Sequence, residues 1–391
     1  STAAISFPEI SLSFRGGASK KMSTNRIDAP SPNEYVTVGG GAINEKKRNI
    51  KETNGTKSER ISGFNPIKSK SHLMHAIEGM DRYPNYLSRW SEQDMDRLEE
   101  GLEHQLQKVR TQKIDVMERR RGIGVMVMRL VEQNETWSQL LKPPEAWSDI
   151  CDEILDSRAA TAIFKSKQFA CCSKQPTVEQ VLNGDVLIQL NPYLLEELME
   201  EEFFDVYSLP LLSIEFCDKL RTFVQELSQL AATEEFAHLQ LGRTDLDTVG
   251  LSWINDLLFH LVVRPISRHL FKQTELKRGE LDYRHGYVVG YRAKPTTTAP
   301  RERLVAHTDD SEVTLNLCIG DEFDGGALNF RGLRGTEGAG QEIIGTFEPR
   351  LGTALLHAGR HFHEVSQVNT GNRYMYIMWA RSWSSTRRKV C

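Results

Sequence analysis

His307, Asp309 and His363 are the residues of this chain whose types and spacing promise chemistry. Residues i and i+2 of a β-strand face the same way, so an imidazole nitrogen from His307 and a carboxylate oxygen from Asp309 can reach one metal ion. A second imidazole, from His363 on a distant strand, completes one face of its coordination sphere. Two histidines and one carboxylate, with the remaining positions open, form the donor set of non-haem Fe(II) centres that activate dioxygen. Arg373 stands ten positions after His363, and its guanidinium suits an anionic co-substrate lying beside the metal.

Strands must carry such a face, and the last third of the chain supplies them. Tyr283 to Arg292, Ser311 to Ile319, Gly326 to Phe330, Gly352 to His357 and Arg373 to Arg381 are short runs rich in Val, Leu, Ile, Tyr and Phe, separated by Gly, Asp and Asn. That spacing predicts a two-sheet jelly roll. Gly325-Gly326 reads as a hairpin turn that needs positive φ.

Upstream, the periodicity is helical. Met95, Leu98, Leu102, Leu106 and Val109 recur at steps of three and four residues from Ser91, an amphipathic helix reaching about residue 118. It either mediates dimerisation or packs onto its own domain. The neighbouring Arg119-Arg120-Arg121 reads as a charged face near a helix C-terminus. After Pro143-Pro144 a second helix is expected over Ala146 to Lys165, with Trp147, Ile150, Ile154 and Leu155 as its stripe, and a shorter one over Pro192 to Glu202. Val206-Tyr207 then predicts a strand, and Ser213 caps a helix carrying Phe216, Leu220, Phe223, Val224 and Leu227. Trp253 to Phe271 reads as a further helix, kinked or restarted at Pro265.

The 391 residues are 39% hydrophobic and 26% charged, with a net charge of -4, as in ordinary globular proteins. The charge is unevenly spread: up to Lys70 there are twelve Lys and Arg against six Asp and Glu, leaving 37 against 47 in the rest. Residues 1–70 have no sustained apolar period and read as a disordered basic tail. They lack interleaved aromatics and any base-reading motif, so nucleic acid is not an expected partner. Six cysteines without a CxxC pair indicate neither a zinc site nor a disulfide framework, which favours a reducing, intracellular compartment. No apolar run is longer than the seven residues of Gly122 to Met128, too short to span a bilayer, so a soluble protein is expected. The start, Ser-Thr-Ala-Ala-Ile-Ser-Phe, reads as that of a fragment or of a trimmed targeting segment.

Tyr291-Arg292-Ala293-Lys294-Pro295, His307-Thr308-Asp309-Asp310-Ser311, Thr314-Leu315-Asn316, Phe323-Asp324-Gly325-Gly326, His357 to Glu364 and Thr370-Gly371-Asn372-Arg373-Tyr374 together resemble the catalytic domain of the prolyl and lysyl hydroxylase superfamily. Within it the likeness is greatest to the eukaryotic 2-oxoglutarate and iron-dependent oxygenase domain-containing proteins. It is specific over about residues 205–385, faint over the helical middle and absent in the tail. The implied fold is α+β: a C-terminal double-stranded β-helix (jelly roll) with flanking helices over 205–385, preceded by a helical region over 71–204 and the tail, with 386–391 as a C-terminal tail.

The resemblance implies that His307, Asp309 and His363 are the iron ligands, that Arg373 binds the distal carboxylate of 2-oxoglutarate, and that Tyr291 lies near that co-substrate. A guanidinium offers a planar fork for a carboxylate and stays charged when buried. Prolyl hydroxylases usually place Lys at this position and lysyl hydroxylases Arg. Parity does not separate His361 from His363, since both fall on one strand face; the ten-residue interval to Arg373, as in the family, selects His363. His361 is left to line the pocket or to support a ligand, and His357 and His285 are read as structural. The implied activity is an Fe(II)- and 2-oxoglutarate-dependent dioxygenase that uses dioxygen to hydroxylate an aliphatic carbon, most plausibly of a protein or peptide side chain, with ascorbate as reductant. N-demethylation at the same site remains an alternative. So does a non-catalytic jelly roll that keeps its metal for structure and recruits protein or chromatin partners.

Overall fold

A computed structural model of the chain describes residues 70–165, 175–239, 241–271, 281–294, 301–320 and 322–382. The expected basic tail (Lys70 excepted), Pro295, Pro300 and the last residues lie outside the described residues. Twelve strands among those residues form two antiparallel sheets. The larger contains β1 (Glu200–Phe203), β2 (Val206–Pro210), β3 (Thr244–Asp245), β4 (Tyr283–Arg292), β6 (Val313–Gly320), β10 (Thr353–Ala358) and β12 (Val368–Arg381), in the order β1-β2-β10-β6-β12-β4-β3, with β7 (Phe323–Gly325) paired to β12. The smaller contains β5 (Leu304–His307), β8 (Leu328–Leu333), β9 (Gly345–Phe347) and β11 (His361–Val365), in the order β5-β11-β8-β9. From β10 through β11 to β12 the chain steps from one sheet to the other and back, as in a jelly roll.

Side-chain parity assigns the two faces of the larger sheet. On β12, Tyr374, Tyr376, Met378 and Ala380 join the core under the helices. The alternate residues Arg373, Ile377 and Trp379 face the space between the sheets. On β4 the inward set is Tyr287, Val289 and Tyr291. Every residue of β6 is buried, because helices cover one of its faces and the smaller sheet the other; this is why Val313 to Gly320 reads as an almost unbroken apolar run.

The helices are α1 (Lys70–Arg82), α2 (Glu92–Gln133), α3 (Trp137–Leu140), α4 (Trp147–Asp149), α5 (Ser157–Phe164), α6 (Val178–Leu182), α7 (Pro192–Leu198), α8 (Ile214–Ala231), α9 (Ser252–Leu258) and α10 (Arg264–Leu270). Ser91 caps α2 and Ser213 caps α8, each hydroxyl accepting a backbone N–H three residues on. Ile123, Met126, Val127 and Leu130 at the end of α2 share one core with α8, α9 and β6.

Several expectations are corrected. α2 runs fifteen residues past 118, to Gln133, so Arg119-Arg120-Arg121 sits in mid-helix and not at a C-terminus. The helix expected over Ala146 to Lys165 is broken: a π turn (Ile150–Ile154) follows α4, Leu155 is extended and bridges Leu212, and Asp156 caps α5 anew. α7 stops at Leu198 because Glu200 to Phe203 pair with β2. Between α9 and α10 a π turn (Phe259–Val263) stands just before Pro265, whose missing N–H interrupts the regular ladder. Gly325 and Gly326 do have positive φ, 77° and 71°, but they make no hairpin. β7 belongs with β12 and β8 with β11, so the glycine pair is where the chain crosses between sheets.

Candidate active site

β5 and β11 are neighbours in the smaller sheet, and His307 and His363 stand directly opposite each other in their register. Their ring centroids are 4.4 Å apart. Each Nδ1 meets a backbone carbonyl two residues earlier: His307 Nδ1 to Val305 O at 2.9 Å, His363 Nδ1 to His361 O at 3.0 Å. A carbonyl can only accept, so each Nδ1 carries a proton, and in the neutral ring Nε2 is the atom left to bind a ligand.

Asp309 is not on a strand. β5 ends at His307, and the turn that follows is fixed by Asp309 N–H donating to Gly359 O at 2.9 Å. The expectation that His307 and Asp309 share a strand face is therefore corrected: the turn, locked onto Gly359, brings the carboxylate round. A Cβ on Gly359 would collide with the Ser311 carbonyl, so this close approach needs glycine. Asp309 Oδ1 lies 3.5 Å from His307 Nε2 and Oδ2 lies 3.7 Å from His363 Nε2. Thr314 Oγ1 donates to Oδ2 at 2.6 Å and is itself 2.7 Å from Ser311 Oγ.

The donor set fits a divalent transition metal. One atom from each of the three residues lies within 4.8 Å of the other two, and a cation with bonds near 2.1 Å holds adjacent donors roughly 3 Å apart, so a small inward closure suffices. Burial pushes the Asp309 carboxyl up, but the bond from His307 and the nearby His363 outweigh it and hold the group down at about 2. The bond to Asp309 raises His307, whereas burial lowers His363. The site thus favours an ionised carboxylate and, at His363, a neutral imidazole, both required for coordination.

Across the cavity on β12, Arg373 is 1% exposed. It is the register partner of Tyr291 on β4, with its guanidinium carbon 5.1 Å from the tyrosine ring centre. Burial lowers its pKa, yet a guanidinium stays charged in proteins. Among the described residues no carboxylate pairs with it, and its Nε has no hydrogen-bond partner. A buried cation left so is expensive, and an anion entering the cavity removes that cost. Gly326 makes room for the arginine: a Cβ there would stand 2.7 Å from Arg373 Cδ.

The cavity between the sheets holds about 390 Å³ and is lined by the triad, Arg373, Tyr291, Tyr287, Ile377 and Trp379. Exposed Arg119, Arg243 and Arg301 border it as well. A larger cleft of about 660 Å³, lined by residues such as Leu140, Glu153 and Trp253, contains none of these groups. Size alone does not mark the chemistry.

The remaining histidines divide clearly. His361 is buried with Nε2 2.8 Å from Phe204 O and does not line the cavity. His357 is fully buried, Nε2 accepting from Asn316 Nδ2 at 2.9 Å and Nδ1 donating to Ala358 O at 3.0 Å. Burial drives it down to about 3, so it stays neutral while its ring packs 4.8 Å from that of His363. His285 lies near Asp245 and Asp247, but Arg284 already binds Asp247 at 2.6 Å. Sequence reasoning gave no role to Thr314, Arg119 or Trp379. Thr314 is five residues from Asp309 in a turn whose course depends on Gly359. Arg119 comes from a helix nearly two hundred residues upstream, which no local pattern connects to the site.

No family model matches the chain. The 2-oxoglutarate and iron-dependent oxygenase domain-containing protein CP2 of Arabidopsis thaliana is 30% identical over 205 residues, 48% of this chain and 50% of that protein. The 2-oxoglutarate and iron-dependent oxygenase domain-containing protein 2 of Mus musculus is 30% identical over 200 residues, covering 50% and 54%. The multifunctional procollagen lysine hydroxylase and glycosyltransferase LH3 of Homo sapiens is 30% identical over 198 residues, covering 46% and 24%. The chain spans about half the length of the first two. A prolyl 4-hydroxylase structure from Phytophthora capsici superposes with a TM-score of 0.35 at 14% identity, covering 55% of this chain and 68% of that one. The jelly-roll assignment stands on the strand order itself.

Proposed function

We propose, from the premise that this chain belongs to the 2-oxoglutarate/Fe(II) oxygenases of the prolyl and lysyl hydroxylase superfamily, that it is a dioxygenase hydroxylating an aliphatic carbon of a peptidyl side chain. The observation that carries this reading is the meeting of three ligand atoms, His307 Nε2, Asp309 Oδ and His363 Nε2, with a buried arginine on the facing strand that meets no carboxylate among the described residues. The lysyl hydroxylase relative is named for procollagen, and that name supports a peptidyl substrate.

In this reading His307, Asp309 and His363 hold Fe(II), and Arg373 takes the distal carboxylate of 2-oxoglutarate by paired N–H donors. When bound, iron and 2-oxoglutarate would supply the oxidising chemistry with dioxygen: one oxygen atom ends in succinate as carbon dioxide leaves, and the other in the substrate C–H bond. The chain's residues orient and protect. Val305 O and His361 O fix the ring planes and tautomers of the two imidazoles. Thr314 donates to Asp309 and so restricts the carboxylate to one rotamer. Tyr291 stacks under Arg373 and limits the swing of its fork. Tyr287, Ile377 and Trp379 wall the cavity and exclude water from the reacting carbon. Ascorbate is the reductant expected to sustain turnover.

The test is succinate release by the purified full chain with Fe(II), 2-oxoglutarate and ascorbate, with and without cell extract as substrate source. Stimulation by extract, lost in Asp309→Ala, is expected. Normal iron uptake with no succinate under any condition would leave the metal-retaining binding module as the better description.

A further inference from the structure

α2 is buried at both ends and bare between them. At its start Leu98 packs with Leu73 and Ala76 of α1, and Leu102 lies against the same cluster. At its end Ile123, Met126, Val127 and Leu130 enter the main core. From Glu103 to Arg121 every residue except Gln105 is exposed, a stretch of roughly 28 Å at 1.5 Å per residue.

The apolar stripe does not stop where the cover does. At 100° per residue, Leu98, Leu102, Leu106, Val109, Val116 and Met117 fall within an arc of about 100°, and Ile123 and Val127 continue it. Val109 stays 59% exposed, Met117 51%, Leu106 48% and Val116 47%. One continuous ridge is therefore packed at each end and open to water in its middle. Met95, Leu102, Val109, Val116, Ile123 and Leu130 also recur at intervals of seven, the period of a two-stranded seam.

Charge selects the occupant and its direction. Glu92 to Glu103 contains six acidic residues against one arginine, and Lys108 to Arg121 contains six basic residues against two acidic ones. The helix macrodipole does not account for the basic half: it ends twelve residues before Gln133, and that effect is confined to the last turn. We propose that the exposed middle of α2 pairs with α2 of a second copy of this chain, running antiparallel. That arrangement covers Leu106, Val109, Val116 and Met117, brings the acidic end at Glu99 to Glu103 against the partner's Arg120 and Arg121, and sets Lys108 near the partner's Asp115. A parallel pair would oppose acid to acid and Arg119-Arg120-Arg121 to itself. The basic N-terminal tail could satisfy the acidic half but offers no repeating apolar ridge.

Sedimentation of the full chain across a wide concentration range tests this. A reversible monomer–dimer equilibrium is expected. Val109→Glu/Val116→Glu weakens it by roughly 100-fold or more, while far-UV circular dichroism and melting of the core stay unchanged because both side chains are exposed. Arg120→Glu/Arg121→Glu weakens pairing about tenfold, and adding Glu99→Lys/Glu103→Lys to the same chain restores it, a rescue that only the antiparallel arrangement gives. A chain that remains monomeric throughout overturns the proposal; slow amide exchange over Leu106 to Met117 in that monomer would assign the ridge to the chain's own tail. A dimer indifferent to Val109→Glu/Val116→Glu, or charge reversals that do not rescue each other, also overturn it.

Discussion

His307 and His363 face each other as register partners across β5 and β11, each with its Nδ1 proton tied to a carbonyl of its own strand. Their Nε2 atoms are thereby the ones turned to a shared centre. His363→Ala and His307→Ala are each expected to abolish stoichiometric Fe(II) binding. His361→Ala is expected to keep it, since His361 is turned to Phe204 O. Metal content after equilibrium dialysis checks this, and iron retained by His363→Ala but lost by His361→Ala would reverse the assignment.

Arg373 and Gly326 form one unit for the co-substrate. Arg373→Ala should weaken 2-oxoglutarate binding to the Fe(II) protein by about 2 to 5 kcal/mol, because a buried carboxylate loses its charged partner. Gly326→Ala should weaken it as well: the new methyl stands 2.7 Å from Arg373 Cδ, at a φ of 71° that alanine resists. Both variants keep their iron. Calorimetric titration with 2-oxoglutarate reads the difference, and unchanged affinity in both would remove Arg373 from the role.

Thr314 supports the metal through Asp309. Thr314→Val keeps the shape and deletes the 2.6 Å bond to Oδ2, so Fe(II) affinity should fall about 10- to 100-fold, with little change in melting temperature. Thr314→Ser, which keeps the hydroxyl, should recover most of the loss. Equal affinity in the valine and serine variants would show the bond to be without effect.

The contrast between these residues explains what could be read from sequence. The strands Tyr283 to Arg292 and Val313 to Gly320 were legible because alternation and unbroken apolarity report directly on one or two buried faces. The triad was legible because His, Asp and His at those intervals have few other uses together, and Arg373 followed from its distance to His363. The position of Asp309 on a turn was hidden: its placement depends on Gly359, fifty residues away, and no local pattern encodes that contact. The short strands β1, β3, β7 and β9 went unread because two to four residues carry too little period to stand out. The full length of α2 was missed for a related reason. Arg119-Arg120-Arg121 resembles a terminus, while the packing that continues the helix comes from Ile123 onward against α8.

Acid stability should carry a signature from His260. Burial, reinforced by Arg264 and Arg284, lowers it to about 4 from 6.5, and its buried Nδ1 has no hydrogen-bond partner among the described residues. A histidine whose folded pKa lies below its unfolded one stabilises the fold fully above the unfolded value. That stability is lost as pH falls from about 6.5 towards 4 and levels off below. Partial exposure reduces the effect to about 1 to 2 kcal/mol. His260→Gln should flatten urea-unfolding stability over this window relative to the parent chain; parallel curves would exclude the residue as the source.

Anaerobic addition of 2-oxoglutarate to the Fe(II)-loaded chain, followed by visible absorption, reads metal and co-substrate in one site. Chelation of iron by the keto acid gives a metal-to-ligand charge-transfer band that neither component shows alone. The full chain should develop the band with saturable dependence on 2-oxoglutarate; Asp309→Ala should not develop it, and Arg373→Ala should need a much higher concentration. No band in the iron-loaded parent chain, or a band of equal strength in Asp309→Ala, would contradict the site built from His307, Asp309, His363 and Arg373.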